Sequence, residues 1–239
     1  MGKYFGTDGV RGRANEGLTL DMSIKIGQYL GWYYGKEKHA KILIGKDTRL
    51  SGDMFELGLA AGATSMGAQV YLLGVCPTPA ISYLVRKERF DCGIMVSASH
   101  NPYYDNGIKC FNHNGEKMEE ELLLEVEKYM DGLTDLDLVT GDHIGEYFEW
   151  EDGLEIYMSW LKECVPVDLS GMKILCDLAN GSATSTAVET LDSLGATVDA
   201  INNSPNGINI NNKCGSTHPE GLQRMMREGD YDIGLAFDG

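Results

Sequence analysis

The 239-residue sequence predicts an α/β protein built as two consecutive three-layer α/β domains with mixed sheets. Three observations point there. Short apolar runs of buried-strand type alternate with stretches spaced as amphipathic helices. Thirty glycines are scattered without a repeat, which suits a loop-rich enzyme with many turns and close backbone approaches, not a fibrous chain. A polar, acidic stretch from 132 to 150 divides the chain, placing one domain at 1–150 and a second at 151–239.

Taken in order, TLDMSIKIGQYLGWYY at 19–34 predicts a helix capped by Thr19 or Asp21, with a stripe of Met22, Ile26, Tyr29, Leu30 and Tyr33. ILIG at 42–45 predicts a buried strand, followed by the polar loop KDTRLSG, a packed helix at 52–66 and a strand VYLLGV at 70–75. Pro77 and Pro79 are expected to interrupt regular structure ahead of a helix at 80–87. GIMVSAS at 93–99 reads as a strand running into a loop, GIKCFN at 107–112 as its returning strand, and 119–130 as a helix. The second domain opens with a helix at 154–164, where Ile156, Tyr157, Trp160 and Leu161 share helical spacing. Strands are expected at 172–179, 197–201 and 231–238, with helices at 182–194 and 219–228 between them. The last strand runs into AFDG, so the chain is expected to break off on the way into a functional loop.

Charge and cysteine usage narrow the function classes. The formal net charge of −16 argues against an extended nucleic-acid or anionic-membrane surface. Its distribution is uneven: residues 1–115 carry thirteen basic against ten acidic residues, whereas 116–168 carry three against seventeen. The first segment therefore tolerates an anionic substrate, and the second reads as a solvated surface and connector. No apolar run reaches transmembrane length, and the start, with Lys3 and Asp8, is polar where a signal peptide would be hydrophobic, so a cytoplasmic location is expected. Cysteines 76, 92, 110, 164, 176 and 214 form no C-x-x-C pair and read as buried free thiols, not disulfides or a zinc site.

Several clusters can carry chemistry. Ser97-Ala98-Ser99-His100-Asn101-Pro102 follows an apolar strand, where a serine can face a cleft, although an ordinary polar loop fits the same letters. It lacks the G-x-S-x-G pattern of a hydrolase elbow, and adjacency in sequence does not make Ser99 and His100 a nucleophile and base. Gly6-Thr7-Asp8-Gly9-Val10-Arg11-Gly12 can fold around a phosphate with Arg11 as a planar donor, or be a flexible amino-terminal loop. Gly45-Lys46-Asp47-Thr48-Arg49-Leu50-Ser51-Gly52 is no Walker A motif; it offers either ligand contact or capping and turn chemistry with Arg49 paired to a carboxylate. Lys109 can exchange a proton with a hydroxyl if its pKa is depressed, or be a solvated charge. Asp238 can ligate Mg²⁺ or be a plain strand-end carboxylate.

These clusters, in this order, resemble the alpha-D-phosphohexomutase superfamily. The resemblance runs through FGTDGVRG at 5–12, GKDTRLSG at 45–52, SASHNPYYDNGIK at 97–109, SPNGININNKCGSTHPE at 204–220 and the terminal AFDG. The segment GININNKCGSTHPE is similar to the phosphoglucosamine branch more than to the phosphomannomutase or phosphoglucomutase branches. The resemblance implies that Ser99 is the phosphorylated residue, that His100 shapes the transfer site, that Arg11 contacts the reacting region and that Lys109 transfers the proton. It implies Mg²⁺ held by Ser99 and Asp238, the latter as first aspartate of a D-G-D-x-D-R loop. It also implies a third domain that recognises the sugar and a fourth that grips the distal phosphate, so the 239 residues alone are expected to be inactive. The implied reaction interconverts glucosamine 6-phosphate and glucosamine 1-phosphate through glucosamine 1,6-bisphosphate, in amino-sugar metabolism and cell-wall biosynthesis. A phosphosugar is the expected partner, with no nucleic acid and no membrane; the oligomeric state is not encoded in these motifs. The alternatives are a phosphomannomutase/phosphoglucomutase specificity, or a noncatalytic phosphosugar-binding or interaction fragment.

Overall fold

The first sheet is assembled from β1 (Val10–Arg13), β2 (Lys41–Lys46), β3 (Gln69–Val75), β4 (Cys92–Val96), β5 (Asp105–Asn112) and β6 (Tyr147–Glu149), in the spatial order β1-β5-β4-β2-β3-β6. The structure is a computed structural model that describes residues 2–7, 9–36 and 38–239. β2, β3, β4 and β6 run parallel, whereas β5 is antiparallel to both β4 and β1, so the sheet is mixed as expected.

The continuous apolar run of β2 explains the layering. Successive side chains of a strand point to opposite faces, so Ile42 and Ile44 enter one core and Leu43 the other. The first core is closed by α1 (Leu20–Tyr34), α2 (Gly52–Thr64) and α4 (Glu120–Met130), through Ile26, Leu30, Phe55, Leu59 and Val126. The second is closed by α3 (Thr78–Lys87) and α5 (Gly153–Cys164), through Ile81, Leu84 and Tyr157. Each such side chain taken fully out of water contributes about 1.5–3 kcal/mol.

The second sheet, in the order β8-β7-β9, joins β7 (Lys173–Asp177), β8 (Thr197–Ile201) and β9 (Ile233–Ala236). Its three strands all run parallel, since each returns through a helical crossover. The crossover helices are α6 (Ala187–Ser193), preceded by a 3-10 turn at Ser182–Ser185, and α7 (Glu220–Glu228). No described helix is long and apolar enough to cross a membrane.

Three local expectations need correction. Pro79 does not precede α3 but sits in its first turn, where the missing N–H has no intrahelical partner to lose and φ is already helical. The polar stretch 132–150 is not pure connector, because Tyr147–Glu149 pairs with Val70–Leu72 as a short exposed edge strand. Cys164 is exposed, whereas the other five cysteines are buried; all six are free thiols.

Helices α1 and α2 cross through glycines. A Cβ at Gly62 would collide with the Ile24 carbonyl, one at Gly27 with the Leu59 carbonyl, and one at Gly31 would lie 2.8 Å from the Ala63 oxygen. Each glycine costs about 1 kcal/mol of helix propensity, and the close approach of the two backbones offsets that cost. The contrast is Gly221 in α7, where an added Cβ meets nothing within 4 Å. Gly62→Ala is therefore expected to lower the unfolding free energy by about 1–3 kcal/mol, and Gly221→Ala to raise it by up to about 1 kcal/mol. Urea titration of both variants against the parent checks the opposite signs.

Candidate active site

The two sheets meet at the carboxyl ends of their parallel strands, the edge where α/β sheets open onto ligands. There the apolar run of β4 ends at Val96 and releases the loop Ser97-Ala98-Ser99-His100. Ser97 and Ala98 are still buried, and the Ser97 hydroxyl accepts the Ser99 N–H at 3.0 Å. The turn puts Ser99 at φ +56°, in the left-handed region that a β-carbon disfavours, and lifts its hydroxyl out of the sheet.

Opposite stands Asp238, two residues past the end of β9. The Ser99 hydroxyl donates to Asp238 Oδ2 at 2.7 Å, and His100 Nδ1 lies 3.4 Å from the same hydroxyl and 4.0 Å from that carboxylate oxygen. Lys109, on β5 opposite Met95, lines one cavity of about 530 Å³ with Ser97, Ser99 and Asp238; Tyr157 and Phe237 form part of its apolar wall. Ser99, His100, Lys109 and Asp238 are thus brought together from three separate segments. Arg11 is not among the described residues that line this cavity. It stands on β1 opposite Gly107 of β5, whose carbonyl accepts the Ser97 N–H at 2.9 Å. Asp8, from the same glycine-rich cluster, lies outside the described residues. The segment ahead of β1 is fixed by Glu127 of α4, a buried carboxylate that accepts the N–H groups of Lys3, Tyr4 and Phe5 at 2.8, 2.7 and 2.7 Å.

The loop after β2 proves structural. Arg49 has no exposed side-chain surface, and its guanidinium places all five N–H bonds on protein acceptors. Nε donates to Asp47 Oδ2 at 2.9 Å; Nη1 donates to the carbonyls of Pro102 and, at 3.0 Å, Asp105; Nη2 donates to those of Ser99 at 2.7 Å and Asn101 at 2.9 Å. The arginine therefore pairs with a carboxylate, as one reading of the sequence had it, and also holds the serine loop by four carbonyls. Lys46 is engaged too, with Asp53 at 2.7 Å and with buried Glu56. Burial pushes the Glu56 carboxyl up from its ordinary value, and Lys46 only partly counters this. For Lys46 burial works downward, but the hydrogen bonds to Asp53 and Glu56 outweigh it and raise its pKa.

Ser99 Oγ and Asp238 Oδ2 are hard oxygen donors that converge, and the Asp238 side chain is half exposed. This donor set fits Mg²⁺, which commonly takes one or two protein oxygens and keeps waters or phosphate oxygens in its other positions. Among the described residues no group of three or more His, Cys, Asp or Glu is placed to hold a metal.

The family model described as phosphoglucomutase/phosphomannomutase, alpha/beta/alpha domain I, matches residues 2–136. The chain belongs to this phosphohexomutase family. Phosphoglucosamine mutases from Lachnospira eligens and Lachnoclostridium phytofermentans are 52% and 51% identical over the whole chain, which spans about half the length of these curated relatives, 54% of each. A crystal structure of a phosphoglucomutase/phosphomannomutase family protein from Burkholderia thailandensis superposes over 98% of this chain and 52% of its own, with a TM-score of 0.81 at 24% identity, which shows the shared fold.

Within this phosphohexomutase chain, removing the guanidinium leaves Asp47 buried without its cation and takes one donor from each of four carbonyls, of which Ser99 and Asn101 keep the Asn211 amide and Pro102 keeps the Asp105 N–H. Arg49→Met is expected to cost about 3–5 kcal/mol of stability. Hydrogen exchange should then show early loss of protection at residues 99–105, while the α1 amides keep theirs down to the new global limit; unchanged protection in the loop would count against the clamp.

Proposed function

We propose that the protein carrying this chain is a cytoplasmic phosphoglucosamine mutase, interconverting glucosamine 6-phosphate and glucosamine 1-phosphate with Ser99 as the phosphoryl carrier. The observation that carries the reading is the meeting of Ser99, Asp238 and Lys109 at one cavity where the two sheets join. Phosphoglucosamine mutases aligned over all of this chain support the substrate. Five buried, unpaired thiols suit a reducing compartment. Residues 1–150 and 151–239 then serve as the first and second domains, the one bearing the serine loop and the other Asp238.

The chemistry asks for a carrier that stores a phosphoryl group between two half-reactions, and a serine ester does this. Phosphorylated Ser99 passes its group to the free sugar hydroxyl: the bond from phosphorus to Oγ breaks, the bond to the sugar oxygen forms, and the sugar proton moves to the Lys109 amine. The resulting glucosamine 1,6-bisphosphate turns over in the site. Its other phosphoryl group returns to Ser99, and Lys109 gives the proton back to the released sugar oxygen. Ser99 and Asp238 are the residues that would hold Mg²⁺, which when bound neutralises charge on the transferring phosphoryl group. His100, against the Ser99 hydroxyl, orients the carrier, and Arg11 adds positive charge on the neighbouring strand. Apolar walls around the cavity keep water from intercepting the phosphoserine.

Two outcomes test this in an enzyme of the relatives' full length. Ser99→Ala is expected to fold normally by circular dichroism and to lose sugar-phosphate interconversion, followed by phosphorus NMR, by more than about a thousandfold; near-normal turnover would remove Ser99 from its role. The parent is expected to show a kcat/KM for glucosamine 6-phosphate at least about tenfold above that for mannose or glucose 6-phosphate, and a reversed order would move the protein to another branch of the family.

A further inference from the structure

Asn211 belongs to SPNGININNKCGSTHPE, a motif with no part in the chemistry above, yet it reaches the serine loop from the other sheet. Its backbone sits at φ +57°, a conformation that Asn tolerates better than most residues, and its N–H donates to the Ala179 carbonyl at 2.9 Å. So fixed, its side-chain amide nitrogen lies 2.9 Å from the Ser99 carbonyl and 3.1 Å from that of Asn101. Both oxygens only accept, so the amide must turn its NH₂ toward them. They are the same two carbonyls that Arg49 Nη2 binds.

The opposite side of Asn211 supports the other half of the site. A Cβ on Gly239 would collide with the Asn211 amide, and one on Gly181 would come within 2.5 Å of the Gly239 backbone. The turn bearing Asp238 is therefore wedged between Gly181 and Asn211. One side chain touches both the backbone of the carrier serine and the turn behind the carboxylate that faces it.

We propose that Asn211 is a positioning residue for phosphoryl transfer: it spans the serine loop and the Asp238 turn and sets the gap between Ser99 Oγ and Asp238. This rests on Ser99 being the carrier. Arg49 ties the loop to its own sheet, and Asn211 ties it to the second. A left-handed serine persists only where its surroundings over-determine it, and a misplacement near 1 Å at a reacting centre costs about a hundredfold in rate.

The test uses the full-length enzyme with Asn211→Gly, Asn211→Asp and, as a control, Thr48→Val. Gly and Asp both accept the positive φ; Gly removes the donor, and Asp sets a carboxylate against two carbonyls. Thr48→Val deletes a different bond between the two units, from the Thr48 hydroxyl to the Asn180 carbonyl, without touching the serine loop. Both Asn211 variants are expected to lose roughly 10- to 100-fold in kcat, with KM for glucosamine 6-phosphate changed by less than about twofold, while Thr48→Val keeps the parent kcat. Parental kcat in Asn211→Gly overturns the proposal. So does an equal loss in Thr48→Val, which would mean that seating of the two units, and not the amide, sets the rate. An active Ser99→Ala enzyme would instead bring down the functional reading itself.

Discussion

A guanidinium buried away from solvent must put its N–H bonds on protein acceptors, and at Arg49 these are Asp47, three carbonyls of one short loop and that of Asp105 where the loop enters β5. The arrangement depends on the sheet. β2 and β4 are parallel neighbours, and the Asp47 N–H continues their ladder onto the Val96 carbonyl at 3.0 Å. Arginine and serine loop thus leave adjacent strands side by side. Four carbonyls drawn toward one cation give the loop a single curvature, and that curvature places Ser99 at φ +56° with its hydroxyl outward. A lysine, with three donors on a point charge, could not reach the same acceptors.

The second sheet repeats the device with a carboxylate. Buried Asp177, at the end of β7, accepts the N–H of Ala179 and the Asn202 amide on Oδ1, at 3.0 and 2.9 Å, and the Gly215 N–H on Oδ2 at 2.9 Å. Three loops are gathered at one strand end. From there Asn180 receives the Thr48 hydroxyl, Gly207 receives the Leu50 N–H at 2.8 Å, and Asn211 reaches the serine loop. One buried charge on each side organises the polar edge, and the junction forms between two loop sets that are each already fixed.

Most of the fold was legible because it is written in periodicity. ILIG at 42–45 had to be buried on both faces, and it is; of the stripe in 19–34, Ile26, Tyr29 and Leu30 enter the core with Met22 against its edge, while Tyr33 stays exposed. Ser99, Lys109 and Asp238 were findable as motifs at strand ends or in a returning strand. The misses share a cause. Tyr147–Glu149 is an exposed edge strand held by backbone bonds and one ring contact, Phe148 on Tyr71, so its side chains carry no buried alternation. The Arg49 clamp and the Asn211 contact join side chains to backbone oxygens across 50 and 112 residues, and a carbonyl oxygen looks the same whatever residue bears it. The signal for Arg49 was an arginine three residues past a strand with the apolar middle ILIG; for Asn211, an asparagine run among glycines, where left-handed backbone is common.

The pairing of Val10 with Ile108 also sets an order of events as the chain is made. The strand that bears Arg11 finds its partner only after about a hundred more residues have been added. At 5–20 residues per second that is a wait of roughly 5–20 s. The amides of Lys3, Tyr4 and Phe5 wait longer still, since their acceptor is Glu127. Through that interval the amino-terminal segment is an unpaired strand beside a half-built sheet, open to proteases and to other nascent chains. α1 and α2, neighbours in sequence and locked through their glycines, can form early and hold the growing core until β5 and α4 arrive.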